Sequence, residues 1–466
     1  MDLLSAWIFP VLLGHAALRV LVAPGARRRA GPLVVWASAV PLGLGLTSVL
    51  TFATICTLGP SFTATLAVEG LTLLGSWALA WRAPHHASPD ADPDAARSPG
   101  WLRALVAAGL LANLVSFAIQ ARDMPFGDAD GIGIWGNRAV FLNRACGAWD
   151  VVFADDLVHT DYPLLLPLLS MRAWRFTGDE THLAGLAVAL VFTACGFALL
   201  GGGVARLRGG RLGSLATLAL CATPFFVVQG AAQTGDVPLS CFALACAVWM
   251  RLGGAQALPA AGAFAGLAAW TKNEGLLVAG ALVAFYVAGW VLRDGWRVAA
   301  RAIARTALGA VPALFAWAAF KLWLAPRNDL LVNSDSGKAL SMLTSGERWR
   351  AVARAYGSLC LSLRGAGAAA GLGPVTLAAA AILLGRQRGA RFFGAEVGAA
   401  LSVVAVEFGI FLLTPYDLSW HLGTALDRLF LQVWPLALFG AFLWLRDPVT
   451  SDRCVGGTTP DAQLGA

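Results

Sequence analysis

Charge is scarce in this sequence. Asp, Glu, Lys and Arg together make up 13% of the 466 residues, hydrophobic residues make up 58%, and mean hydropathy is +0.68. That shortage excludes a soluble globular organisation and places the chain in a membrane. The period-two alternation of a transmembrane barrel is absent, which leaves a helical bundle, the other way to satisfy backbone groups in lipid. None of the eight cysteines forms a C-x-x-C pair, so neither a thiolate metal site nor a dithiol redox site is expected, and a Cys146–Cys360 disulfide is a minor alternative. No basic residue precedes the first apolar stretch, and Arg27, Arg28 and Arg29 follow it, so that stretch reads as a retained helix and not a cleaved signal peptide. No repeat of 20 to 50 residues is visible, and no Ser-His-Asp set or metal cluster with convincing spacing occurs.

What is there is a succession of apolar stretches. A hydrocarbon slab of about 30 Å takes roughly 20 residues of helix, and about thirteen such stretches can be placed. They lie near 3–23, 33–57, 62–81, 102–120, 183–204, 213–231, 237–253, 256–271, 275–293, 303–325, 366–385, 396–414 and 429–446. The expected fold is therefore all-α, a polytopic transmembrane bundle. Basic residues set its orientation. Arg27 to Arg29, then Arg82, Arg97 and Arg103, then Arg206, Arg208 and Arg211, then Arg293, Arg297 and Arg301, then Arg386, Arg388 and Arg391 all fall on one side if 161–180 does not cross. That segment, with Pro163, Pro167, Arg172 and Arg175, reads as an interfacial helix. The expected topology has an external N-terminus and a cytoplasmic C-terminus in an inner (plasma) membrane. The net charge of +7 then reflects the topology and an anionic leaflet, so no nucleic acid is expected as a partner.

The organisation read from this pattern is three N-terminal helices and an inside loop over 1–100, a core over 101–446, and a disordered tail over 447–466. The polar stretch 83–100, with four prolines, is a flexible inside loop. The outer face collects a long loop, 121–182, containing Asp123, Asp128, Asp130, Trp135, Asn137, Arg138, Asp155, Asp156, His159, Asp161 and Tyr162. Its aromatic and aliphatic content points to a folded structure.

Asp128-Ala129-Asp130 admits three readings: a metal-binding D-x-D, a carboxylate poised as general base, or a solvated turn flanked by Gly127 and Gly131. Lys272 and Glu274 are adjacent charges near bilayer depth, where each costs about 2.5–3.5 kcal/mol on insertion scales. They read as a snorkelling turn, or as Lys272 meeting a phosphate while Glu274 orients the ligand. Arg428 stands alone on the outer side, suited to clamp a phosphodiester or to pair with Asp427 or Asp417. Asp236, after Thr234 and Gly235 and before Pro238, has the pattern of a helix N-cap, with substrate contact as the alternative. His159, Asp161 and Tyr162 read as caps and anchors or as substrate contacts, and His421 as structural or ligand-binding. The loop 326–352 is polar without a motif.

The run Asp130 to Trp135 with Asn137, Arg138, Ala139 and Phe141, followed by His159, Asp161, Tyr162 and Pro163 to Pro167, resembles the first external loop of the GT-C integral membrane glycosyltransferases. The likeness is to bacterial relatives of protein O-mannosyltransferases and aminoarabinose transferases. Gly235-Asp236-Val237-Pro238, Trp270 to Gly275, and Tyr416 to His421 leading to Arg428, Gln432, Trp434 and Pro435 extend the resemblance over roughly 100–440. It implies inverting transfer from a polyprenyl-phosphate sugar to a hydroxyl of a glycan, lipid or protein acceptor at the external face. By that alignment Asp130 is the base with Asp128 second. The residues' own chemistry adds Lys272 and Arg428 as the groups expected to bind the donor phosphate, and Glu274, Asp236, His159, Asp161, Tyr162 and His421 as the expected substrate contacts. No cofactor is implied, and a divalent metal has no support beyond the D-x-D spacing. The three preceding helices depart from the family pattern, as does the missing acidic pair in the loop. A transporter or flippase of a lipid-linked or small polar substrate is the competing class, set against it by charges gathered at one surface and by the absence of an inverted repeat. A ligase or polymerase of lipid-linked glycans shares the same face and donor type.

Overall fold

The computed structural model describes residues 3–82, 98–153, 159–327, 336–363, 371–387 and 394–447, and among these it is helical with no strand. The inside loop 83–97, Asp155 and Asp156, the polar residues 328–335, the stretch 364–370 and the tail from 448 lie outside the described residues. Among the described residues eight helices are long and apolar enough to cross a membrane, or nine if one bent pair is a single span. They are α1 (Leu3–Leu21) excepted, α2 (Pro24–Leu58), α3 (Phe62–Arg82), α4 (Gly100–Asp123), α7 (Leu183–Arg208), α12 (Asn273–Asp294), α13 (Trp296–Trp323), α17 (Ala395–Leu413) and α18 (Leu418–Trp444). The bent pair is α8 (Gly210–Cys221) and α9 (Pro224–Ala231), which meet at 63°. Of the expected spans, 366–385 is represented by the eleven-residue α16 (Pro374–Leu384), and 256–271 by α11 (Leu258–Thr271). The remaining helices are α5 (Asn137–Arg144), α6 (Leu165–Thr177), α10 (Asp236–Leu252), α14 (Ser336–Thr344) and α15 (Gly346–Leu361).

Burial sorts these helices into a centre and a lipid-facing rim. Every residue of α10 except Arg251, and every residue of α11 except Pro259, is buried. A helix apolar on all sides is stable only when surrounded. The helices α3, α4 and α13 instead expose large apolar side chains, among them Leu71, Leu111, Leu308 and Phe315, as expected where the outer solvent is hydrocarbon. Hydrophobicity does not draw helices together inside lipid, so close packing of small residues carries the association. At the α11–α13 contact a Cβ on Gly262 would stand 1.8 Å from the Thr306 carbonyl, and one on Gly309 would stand 1.7 Å from that of Pro259.

The helix α6 lies in the segment 161–180, which the sequence reading made an interfacial helix, and it is enclosed by the bundle. Ten of its thirteen residues are buried, and it packs against α1, α2, α5 and α7. Arg172 is turned into the bundle, where Nε and a terminal nitrogen of its guanidinium donate to Glu69 of α3 at 2.7 and 2.6 Å, and the other terminal nitrogen donates to the Ala6 carbonyl at 2.6 Å. Arg175 donates to the carbonyls of Pro60 and Leu142. The two arginines that suggested a surface helix are the means by which this one is fastened inside.

Arg29, Arg206, Arg208, Arg211, Arg251 and Arg305 gather at one end of the bundle. Arg206 donates to the carbonyls of Arg28 and Arg29, Arg29 to that of Leu252, and Arg208 to that of Leu445 and to the Gln387 side chain. Arg211 pairs with Asp447, Arg305 reaches the Ala255 carbonyl, and Arg251 holds Glu396 through two bonds of 2.6 and 2.8 Å. The acidic loop residues lie at the opposite end.

Candidate functional site

The loop after α4 is seated on the break between α9 and α10. Gly127, at φ +88°, and Gly131 both lie against the Ala232 carbonyl, where a Cβ would stand 2.4 and 2.3 Å from the oxygen. The Asp128 backbone N–H donates to that same carbonyl at 3.3 Å, and the Asp128 carboxylate accepts from the Gly131 N–H at 2.7 Å. Asp128 therefore closes a turn, as one of its sequence readings expected. Burial raises its pKa above the usual carboxylate range, opposed by the Gly131 N–H and by Arg428. A single π-helical turn, Gly131–Gly136, then leads into α5.

This seating brings Asp130 to Arg428. The Arg428 guanidinium bridges two carboxylates: a terminal nitrogen meets Asp130, and Nε meets Asp236 at 2.9 Å. Asp236 is the hub of the site. Its Oδ1 also accepts from Lys272 Nζ at 2.9 Å and Gln432 Nε2 at 2.7 Å, and its Oδ2 accepts from the Thr234 hydroxyl at 3.1 Å. It is fully buried and stands as the first residue of α10; Gly235 occupies the N-cap position without a side-chain cap bond. The N-cap reading of Asp236 is thus overturned, because two cations and two neutral donors claim the carboxylate. Arg428 likewise pairs with neither Asp427 nor Asp417; Asp417 caps α18 through the Trp420 N–H at 2.8 Å.

Lys272 breaks the chain between α11 and α12 in an extended conformation, buried, with Asp236 on one side and Glu274 Oε1 at 3.3 Å on the other. Burial alone would lower its pKa, and the two carboxylates more than offset this and keep it a cation. Its nitrogen also sits 5.6 Å from the Tyr162 ring centroid. Tyr162 is stacked between Trp135 (centroids 5.8 Å apart) and His159 (5.0 Å), and burial followed by the Glu274 charge holds its phenol protonated. Arg138, fully buried against Trp135, donates to the Ile134 and Tyr162 carbonyls at 2.6 Å each. Asp161 accepts from Asn273 at 2.6 Å and faces Lys321.

Comparison with known protein families, curated proteins and solved structures finds no match.

Of the residues expected from the sequence, Asp128, Asp130, Asp236, Lys272, Glu274 and Arg428 form one continuous cluster, and Asp161 and Tyr162 border it. His421 stands apart from the cluster's hydrogen bonds, held by Thr414 at 2.8 Å among the rings of Phe411, Tyr416 and Trp420. Four members were missed: Thr234, Asn273, Lys321 and Gln432. Gln432 lies one helical turn beyond Arg428 on the same face. Lys321 is a cation at the end of α13 nearest the acidic loop, the same signal that singled out Arg428. Among the described residues no group of three or more His, Cys, Asp or Glu side chains is placed to hold a metal ion. A cavity of about 430 Å³ adjoins the cluster, with Gly131, Trp135, Gln233 and Thr234 in its wall.

Proposed function

We propose that this chain is a membrane glycosyltransferase that moves a sugar from a polyprenyl-phosphate donor to an acceptor hydroxyl at the end of the bundle opposite the arginine cluster. In this reading that end faces outward or to the periplasm, the chain crosses an inner membrane about thirteen times, and its C-terminus is cytoplasmic. The gathering of arginines at one end supports the orientation.

The observation that carries the reading is the Arg428 bridge between a buried carboxylate and a more accessible one. Asp236 is enclosed and held by three further donors, whereas the Asp130 side chain is 40% exposed and that of Arg428 17%. An arriving phosphate competes with Asp130 for the guanidinium, because Asp236 is fixed and Asp130 is not. Arg428 then holds the phosphate while Asp130, released, accepts the proton of the acceptor hydroxyl. That oxygen attacks the anomeric carbon, the bond from carbon to phosphate oxygen breaks, and the lipid phosphate leaves with its charge stabilised by Arg428. Lys272 takes a different part from the expected one. Enclosed between Asp236 and Glu274, it serves as the counter-ion that keeps Asp236 ionised and Arg428 aimed.

The test is transfer of radiolabelled sugar from polyprenyl-phosphate carriers to membrane acceptors by purified protein in liposomes. Asp130→Asn should abolish transfer while donor binding is kept or improved. Labelled substrate crossing the bilayer without transfer would instead establish the transporter.

A further inference from the structure

Beside the cluster lies a set of buried hydrogen-bonding atoms that have no partner. Glu407, in the middle of α17, is 1% exposed, and neither of its carboxyl oxygens meets a donor. Gln432 Oε1, Glu274 Oε2 and the Tyr356 hydroxyl are buried and unpartnered in the same way. They belong to one neighbourhood. Gln432 and Glu274 are joined through Asp236 and Lys272, and α17, which carries Glu407, packs against α12 and α18, which carry Glu274 and Gln432. The Tyr356 ring packs between Phe408 and Phe411 of α17 and Phe430 of α18, at centroid distances of 4.9, 6.2 and 5.5 Å, which fixes this wall. Leaving such atoms unsatisfied in a folded protein is costly, so they call for a partner. These four residues together present four acceptor oxygens and one hydroxyl.

We propose that Glu407, Glu274, Gln432 and Tyr356 form the subsite that takes the hydroxyl groups of the donor's sugar ring. The inference rests on the transferase reading for the word donor, but the ligand class, a polyhydroxylated ring, follows from the acceptors. Hydroxyls donate to each orphan oxygen, and the packed Tyr356 ring holds this wall in place.

The experiment uses the full chain in lipid nanodiscs and the rate at which dicyclohexylcarbodiimide modifies Glu407, read by mass spectrometry of the peptide. The probes are farnesyl phosphate, a farnesyl-phosphate hexose and an alkylammonium ion. The free protein should be labelled, the hexose conjugate should slow labelling about tenfold, and bare farnesyl phosphate should leave it unchanged. Glu407→Leu should weaken the conjugate by about tenfold, equivalent to about 1.4 kcal/mol, with farnesyl phosphate affinity unaltered. Equal protection by both lipids, protection by the ammonium alone, or no labelling of the free protein would each overturn the subsite. Protection by the conjugate without any transfer to acceptors would leave the subsite standing and sink the transferase.

Discussion

The pair Glu69–Arg172 lends itself to a quantitative test. Both side chains are 1% exposed, and two charge-assisted bonds join them at 2.7 and 2.6 Å. Such bonds contribute about 1.5–3 kcal/mol each, so about 3–6 kcal/mol of interaction is at stake before desolvation is counted. Removing one partner strands a charge in the bundle, and the expected cost of Glu69→Leu or Arg172→Met alone is about 3–5 kcal/mol. Removing both leaves no charge behind and sacrifices the bond to the Ala6 carbonyl, so the double variant should fall within about 1 kcal/mol of the parent. Unfolding of the four proteins by sodium dodecyl sulfate in mixed micelles, followed by tryptophan fluorescence, supplies the cycle. Singles that cost under about 1 kcal/mol, or a double whose cost equals their sum, would refute the reasoning. A large coupling would also show that α3, in the N-terminal part, and α6, beneath the acidic loop, fold as one body.

Further outcomes follow from the site. Asp236→Asn should abolish transfer and lower stability by about 3–5 kcal/mol, because Lys272 and Arg428 lose a shared counter-ion; stability comparable to the parent in the same micelle assay would remove Asp236 from the hub. Gly131→Ala forces a Cβ to 2.3 Å from the Ala232 carbonyl and should unseat the loop, cutting transfer at least tenfold while the bundle melts as before; unchanged kcat would contradict that seating. The raised pKa of Asp128 means the folded protein keeps this proton over a window just above the ordinary carboxylate range. Its stabilising effect is present below the unfolded pKa and is lost as pH rises through the folded one, so stability should fall through that window and Asp128→Asn should flatten the profile. Lys321→Met should loosen the Asp161 segment, seen as faster hydrogen exchange at 159–163, with donor phosphate affinity unchanged.

The helical class was legible because hydropathy needs only composition and run length. The sidedness of the arginines was legible because each cluster lies beside an apolar stretch. The burial of α6 was not, since Arg172 is a charged residue whose partner, Glu69, is 103 positions away. A lone charge reads as surface until its counter-ion is seen. The same gap explains Asp236. Its local neighbours spell a helix start, while Lys272 and Arg428, which claim its carboxylate, come from distant helices. Conversely, Asp130 and Arg428 were each picked out for being charges at the outer end, yet nothing local told that they face one another. Orphan atoms such as those of Glu407 are visible only once every neighbour has been placed.

The 63° bend between α8 and α9 carries a mechanical consequence. Bending there frees carbonyls at membrane depth, and each is taken by another part of the chain: Cys221 by the Asn113 side chain at 3.2 Å, Ala222 by the Leu372 backbone N–H at 3.0 Å. Trp434 of α18 adds a bond to the Thr223 hydroxyl at 3.1 Å. Three separate segments are therefore riveted to one kink, and any of them that swung away would leave a polar group bare in hydrocarbon. The bend acts as a weld and not as a hinge. The acidic loop, by contrast, rests on the far end of α9 through Gly127, Gly131 and the Ala232 carbonyl, with Gln233 donating to the Pro125 carbonyl at 2.8 Å and Arg428 meeting Asp130.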